Sequence, residues 1–177
     1  MKTKKNYSFL ILFLILLTVM SFSFNVYGQS IKISEFSTPL GNSDYSRIYN
    51  INRANRTLSN TIVMPNQTFS FNSTIGNASI KNGYKASKVV VYDKLVDGEG
   101  GGVCQVSTTL FNAVDKGNFP IIERHSHTRD IPYIEDGRDA TIAYGTKDFK
   151  FTNDRSYPIR IKSYTKDNNL LVEIYSI

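Results

Sequence analysis

The 177-residue chain has one cysteine, two histidines and no tryptophan. A single cysteine excludes an intrachain disulfide. It also excludes the paired-cysteine spacings of structural zinc sites. Two histidines leave only two candidates for an imidazole base. No internal repeat, low-complexity tract or interdomain linker interrupts the sequence. Acidic residues are missing from residues 1–28, where Lys2, Lys4 and Lys5 are the only charged side chains.

What that segment does contain is an apolar run from about Phe9 to Phe24, followed by Val26-Tyr27-Gly28. A positive start, an apolar core and small or modest residues before a cut make a secretory signal peptide cleaved near Gly28. A retained membrane anchor is the competing reading, because the run is nearly long enough to span a bilayer. No cysteine at the cut means no lipoprotein anchor. The expected organisation is therefore 1–28 signal peptide or anchor, 29–42 lead-in, and 43–177 one domain. Cleavage leaves 177 − 28 = 149 residues, and a net charge of 18 − 15 = +3. That length can bury a real core. The charge is too weak for a nucleic-acid binder and suits an anionic cell envelope. The protein is expected outside the cytoplasm, secreted or envelope-associated. Membrane contact would come only through an uncleaved N-terminal segment.

Hydrophobic spacing gives a coarse α+β reading. Ser34 to Asn42, with Pro39 and Gly41, reads as irregular. Ile48, Ile51, Ala54 and Leu58 share a helical face, with Ser43 or Asp44 as its cap. "TIVMPNQTFSFN" reads as strand, turn, strand; "STIGNASIKNGY" as loop; "KASKVVVYDKLV" as strand; Asp97 to Gly102 as a glycine loop. Val103 to Lys116 has helical spacing and ends at Gly117, a good C-cap. "FPIIERHSHT", "DATIAYG" and "DFKFTN" read as strands. "YPIRIKSY" and "LLVEIYSI" form a closing hairpin around a polar turn. The fold class expected is a single α+β domain. An antiparallel or mixed sheet would pack against an N-terminal helix and a central cysteine-bearing helix.

The sole cysteine, Cys104, lies in "GEGGGVCQVSTTL" at the start of that central helix. Helix N-terminal N–H groups and the dipole stabilise a thiolate. The same N–H groups can hold an oxyanion, and glycines let backbone approach a substrate. The competing reading is a glycine turn beside a buried thiol. A cysteine nucleophile needs a base. His125 and His127 in "ERHSHT" are two apart, so on a strand they share a face with Glu123. Asp139 in "GRDAT" is placed to orient an imidazole, with Asp148 and Asp130 as rivals, or else is a turn aspartate. Cysteine on a helix, then histidine and aspartate on successive strands, is the layout of transglutaminase-like and papain-like folds. The alternative use of Cys104 with the His-x-His pair and a carboxylate is zinc binding. No metal or cofactor is expected.

Taken together, "INRANRTLSNTIVMPNQTFSFNSTIG", "NGYKASKVV", "GGGVCQVSTTLFNAV", "ERHSHT", "GRDATIAYGTKDFKFTN" and "PIRI" resemble the VanW family. The blocks run in order from about Ile51 to Ile161. Short members are similar to the accessory protein of B-type vancomycin-resistance clusters. Longer ones join this domain to peptidoglycan-binding or G5 modules in Gram-positive envelopes. The resemblance implies a cell-wall setting and leaves the chemistry to the residues. The positions matching the family pattern are Gly100, Gly101, Gly102, Cys104, Gln105, Ser107, Thr108, Thr109, Glu123, Arg124, His127, Arg138 and Asp139. The family's characteristic second histidine favours His127 over His125 as the base.

The functional expectation is an exported enzyme acting on acyl or amide bonds of peptidoglycan or its peptide stems. It would be a cysteine hydrolase or an acyltransferase. Cys104 would attack, His127 would act as base and Asp139 would orient it. Gly101, Gly102, Gln105, Ser107, Thr108 and Arg138 are the candidates for oxyanion or substrate binding; His125 and Asp148 are the alternative base and carboxylate. The competing class is a non-catalytic envelope module that binds peptidoglycan or a partner protein. A third class, sequestration of or signalling around vancomycin-like drugs, follows from the resemblance alone.

Overall fold

The computed structural model describes residues 30–91 and 94–177. The expected signal segment lies outside the described residues. The elements are β1 (Lys32–Pro39), α1 (Tyr45–Leu58), β2 (Ile62–Val63), β3 (Thr68–Ser70), α2 (Phe71–Ile75), β4 (Ala86–Val91), β5 (Lys94–Glu99), α3 (Val103–Lys116), β6 (Ile121–Glu123), β7 (Lys150–Thr152), β8 (Ile159–Lys166) and β9 (Asn169–Ser176), with a 3₁₀ turn at Ile80–Asn82. All strand pairs are antiparallel. They form a four-stranded sheet in the order β1-β9-β8-β2, a three-stranded sheet β3-β7-β6, and the hairpin β4-β5. This is an α+β domain with α1 and α3 packed on the main sheet.

The closing hairpin anchors the main sheet. Leu170, Val172 and Ile174 alternate inward on β9, as do Ile159, Ile161 and Ser163 on β8. Their turn residues Asp167 and Asn168 both have positive φ, as a two-residue hairpin turn requires. Asp44 caps α1 by accepting from the Arg47 N–H.

Helix α3 is the core of the molecule, and every residue from Gln105 to Val114 is buried. An amphipathic helix would leave a polar face wet. Here the polar residues are inside, and each finds a partner. On one side they bind β1: Ser34 Oγ donates to Ala113 O at 2.7 Å, and Thr38 Oγ1 meets Thr109 Oγ1 at 2.9 Å. On the other they hold residues 138–140. Ser107 Oγ donates to Ala140 O (2.6 Å), Ala140 N donates to Thr108 Oγ1 (3.0 Å), and Asn112 Nδ2 donates to Arg138 O (2.7 Å).

Five expectations are corrected. The stretch Ser34 to Asn42 is not irregular, since most of it is β1, which pairs with β9 along its length. Its buried Ser34 and Thr38 gave no apolar alternation to detect. The "STIGNASIKNGY" loop contains the last three residues of α2 and the 3₁₀ turn, and Asp97 to Glu99 belong to β5. The strand expected over "FPIIERHSHT" stops at Glu123, so His125 and His127 sit on a loop. "DATIAYG" is likewise loop, apart from an isolated bridge at Ala143. The reason is local. The Asp139 carboxylate accepts the His127 N–H, and Arg124 donates to the carbonyls of Gly137 and Asp139. Side chains take the place of a β-ladder, so the helix–strand–strand layout is met only at the helix.

Candidate active site

The glycine run makes a sharp approach to α3. Gly102 is the N-cap residue with φ +105°, where an L side chain is strained. A Cβ on Gly101 would lie 2.5 Å from Lys88 O and 2.9 Å from the Ser87 backbone. The run therefore lets α3 start directly against β4. Val103 N–H donates to Gly100 O and Gln105 N–H to Gly102 O. Cys104 sits between them in the first turn.

The Cys104 side chain is partly exposed and opens into a cleft of about 690 Å³. Its sulfur lies 3.6 Å from Thr141 Oγ1 and 3.7 Å from Ile142 O. The His127 ring lines the same cleft and acts on the charge of the sulfur. The His127 Nδ1 is 2.5 Å from Asp139 Oδ2, which leaves Nε2 for the sulfur. His127 Nδ1 and the His127 N–H converge on one carboxylate oxygen; Arg124 Nη2 reaches the other at 3.3 Å. Thr141 N–H donates to His125 O at 2.8 Å and ties the two loops together.

This chain sets the charges. Burial alone would raise the Cys104 thiol, but the hydrogen bond and charge of His127, with the Ile142 backbone and Thr141, bring it below the ordinary cysteine range. Burial alone would lower His127, yet Cys104 and Asp139 carry it above the ordinary histidine value. Burial would raise Asp139, and the His127 backbone and ring hold it down. All three directions favour a thiolate–imidazolium pair backed by a carboxylate. The position of Cys104 at the positive end of a helix adds to this.

The sequence candidates thus divide. Cys104, His127 and Asp139 come together. Gly101, Gly102 and Gln105 line the cleft. Gln105 Nε2, however, already donates to Thr38 Oγ1 and Pro39 O, so its amide is committed to the fold. Ser107 and Thr108 are buried scaffold that holds Ala140, and so positions Asp139. Arg138 lies outside the cleft, paired with Asp115 at 2.8 Å over the Phe111 ring. His125 turns to Glu123 Oε1 at 2.9 Å. Asp148 accepts from Ser70 Oγ and the Asn72 N–H, and is committed to α2. Among the described residues, no cluster of three or more His, Cys, Asp or Glu side chains could hold a metal ion.

Sequence reasoning missed Arg47, Tyr133 and Thr141. Arg47 rises from the first turn of α1 into the cleft and donates from Nη2 to Gln105 Oε1 at 2.8 Å. Its guanidinium carbon lies 5.8 Å from the centre of the Tyr133 ring. Burial and the nearby Cys104 charge raise the Tyr133 phenol. No periodicity marks a lone arginine near a helix cap or a tyrosine in a loop. Only the fold brings them to the sulfur. The β4-β5 hairpin completes the cleft with Val89, Val90 and Leu95.

A family model described as "VanW like protein" matches residues 46–175. The chain is 41% identical over 145 residues to the uncharacterized protein YoaR of Bacillus subtilis, covering 82% of this chain and 48% of that one. It is 29% identical over 136 residues to the vancomycin B-type resistance protein VanW of Enterococcus faecalis, covering 74% of this chain and 50% of that one. The chain therefore spans about half the length of the curated relatives it matches. No solved structure matches it. Among the described residues, no helix is long and apolar enough to cross a membrane. With the model match running from α1 to the end of β9, the chain belongs to the VanW family.

Proposed function

We propose that this VanW-family protein is an exported cysteine enzyme of the cell envelope that cleaves or transfers acyl groups of peptidoglycan peptide stems. The observation that carries the proposal is the placing of Cys104 in one cleft with a His127 ring that is hydrogen-bonded to Asp139, with the sulfur at a helix N-terminus. The Cys104 thiolate attacks an amide carbonyl and forms a C–S bond. The Cys104 N–H, the first-turn donor between two engaged neighbours, faces the oxyanion. His127 gives its proton to the leaving amine as the C–N bond breaks. Water or a second amine then attacks the thioester and regenerates the thiolate. Asp139 holds the imidazole in the tautomer and orientation this requires. The cell-wall setting draws on the name of the enterococcal relative, a vancomycin resistance protein, and on the signal-peptide pattern of residues 1–28.

Purified wall, incubated with the protein and analysed by mass spectrometry, should show altered stem peptides. Cys104→Ala should abolish the change. Equal turnover by Cys104→Ala would exclude the nucleophile. Saturable wall binding by both proteins, with no change in the stems, would make the domain a binding module instead.

A further inference from the structure

The cleft is built mainly from apolar groups, including Val89, Val90, Leu95 and Ile142, yet it holds one uncommitted cation. Arg47 is partly buried, and among the described residues no carboxylate lies within ion-pair distance of its guanidinium. The other charged groups of the cleft, the base His127 apart, are engaged. Lys88 pairs with Asp97 at 2.9 Å. Glu99 accepts the Ile80 N–H. Asp44 caps α1 and meets Ser87 Oγ at 3.3 Å.

Arg47 is nonetheless held in place. Gln105, 1% exposed, fixes one of its N–H groups from below, and the Tyr133 ring lies beside it. Gln105 is itself fixed by Thr38 and Pro39. Arg47 and Cys104 line the same cleft, and the stem of Arg47 packs at the start of the helix that carries Cys104. A Cβ on Gly102, two residues before Cys104, would touch Arg47 Cγ at 3.1 Å. A guanidinium donates five N–H bonds in a rigid fork that matches a carboxylate. With one N–H on Gln105, the rest of the fork has no acceptor among the described residues. An arginine oriented by a buried amide and left without a counter-ion fits an anion that arrives with the substrate.

We propose that Arg47 is the carboxylate-binding group of the cleft, and that the acyl substrate of Cys104 carries a free peptide carboxylate near the bond attacked. This rests on the reading of Cys104 as nucleophile and narrows it to acidic peptides. It also moves anion binding from Arg138, which is paired with Asp115, to an arginine on α1.

The test compares alkylation of Cys104 by iodoacetate and by iodoacetamide in the full chain. The two reagents undergo the same displacement: the sulfur–carbon bond forms and iodide leaves. They differ in one carboxylate. The ratio of the two rates cancels changes in thiolate content. Arg47→Gln should lower the iodoacetate-to-iodoacetamide ratio about tenfold, the effect of losing one charge-assisted contact. Arg47→Lys, which keeps the charge and loses the fork, should fall between. An unchanged ratio in a well-folded Arg47→Gln protein would overturn the proposal.

A second arm identifies the source of the carboxylate by protection of wild-type Cys104 against iodoacetamide. One short peptide has a free C-terminus and neutral side chains; the other has an amidated C-terminus and a glutamate. Protection by the first assigns a terminal carboxylate, and by the second a side-chain carboxylate. Protection by neither, at millimolar peptide, would count against Arg47 as a peptide site. Both arms read the thiol and not turnover. A failure of the catalytic reading, seen with Cys104→Ala on wall, is therefore distinguishable from a failure of this one.

Discussion

Asp139 does three jobs with two oxygens. One oxygen fixes the His127 ring and the His127 N–H together; the other takes Arg124. Asp139→Asn keeps the shape and removes the charge that supports the imidazolium. Turnover should fall by about 10⁴-fold, the effect of neutralising the third member of such a triad. A rate assay on wall peptides checks this. Arg124 acts one step further out. It donates to Asp139 O at 2.6 Å and Gly137 O at 2.7 Å while stacked over Phe111 at 4.5 Å. Arg124→Ala should loosen the 137–139 loop and slow Cys104 alkylation; Arg124→Lys should rescue only part of it, because one ammonium cannot hold both carbonyls in the same geometry. Linkage fixes a pH effect as well. The folded-state pKa of Asp139 is depressed, so its stabilisation is present above the unfolded carboxylate pKa and is lost as pH falls through the folded value. The melting temperature of the wild type should therefore drop more steeply with acidification than that of Asp139→Asn, as read by thermal denaturation at several pH values.

At the scale of elements, α3 and the glycine run determine one another. The helix can start where it does only because Gly101 lets its backbone meet β4. Gly101→Ala puts a methyl group 2.5 Å from Lys88 O, a backbone atom that cannot rotate away. The substitution should cost about 2 kcal/mol or more in stability, measurable by urea denaturation. It should also displace Cys104 from His127 and slow alkylation. The two long helices, α1 and α3, were legible in the sequence. Ile48, Ile51, Ala54 and Leu58 have helical spacing, and Val103 to Lys116 ends at the glycine cap the pattern predicts. The three residues of the proposed site were named from the sequence, with His125 as the one other histidine and Asp148 and Asp130 as rivals to Asp139. The path between the three was not legible. His127 and Asp139 lie on loops held by Arg124, Ser107, Thr108 and Asn112, and alternation along a strand cannot report hydrogen bonds between side chain and backbone. The same limit hid Ser107 and Thr108. They read as polar groups for a substrate, but they are buried partners of Ala140.

For the whole molecule, the stretch before α1 carries more of the fold than its composition suggests. β1 covers the edge of β9 and gives Thr38 to both Gln105 and Thr109. Truncation to Asn42 would expose that edge and leave the Gln105 amide without its acceptors. Such a protein should lose cooperative thermal unfolding, seen by near-ultraviolet circular dichroism; a truncated chain that melted like the wild type would show β1 to be dispensable. Through Gln105, the same strand supports Arg47, so sheet edge, helix and cleft form one connected structure. The account depends most on the state of one sulfur. The decisive measurement is the rate of Cys104 alkylation by iodoacetamide against pH, in wild type and in His127→Ala. The account predicts that the wild-type thiolate forms below the ordinary cysteine range. In His127→Ala the acid limb should move up to the ordinary cysteine value or above it, because burial then acts without the imidazole. A wild-type limb already at the ordinary cysteine value, and unmoved by loss of His127, would contradict it.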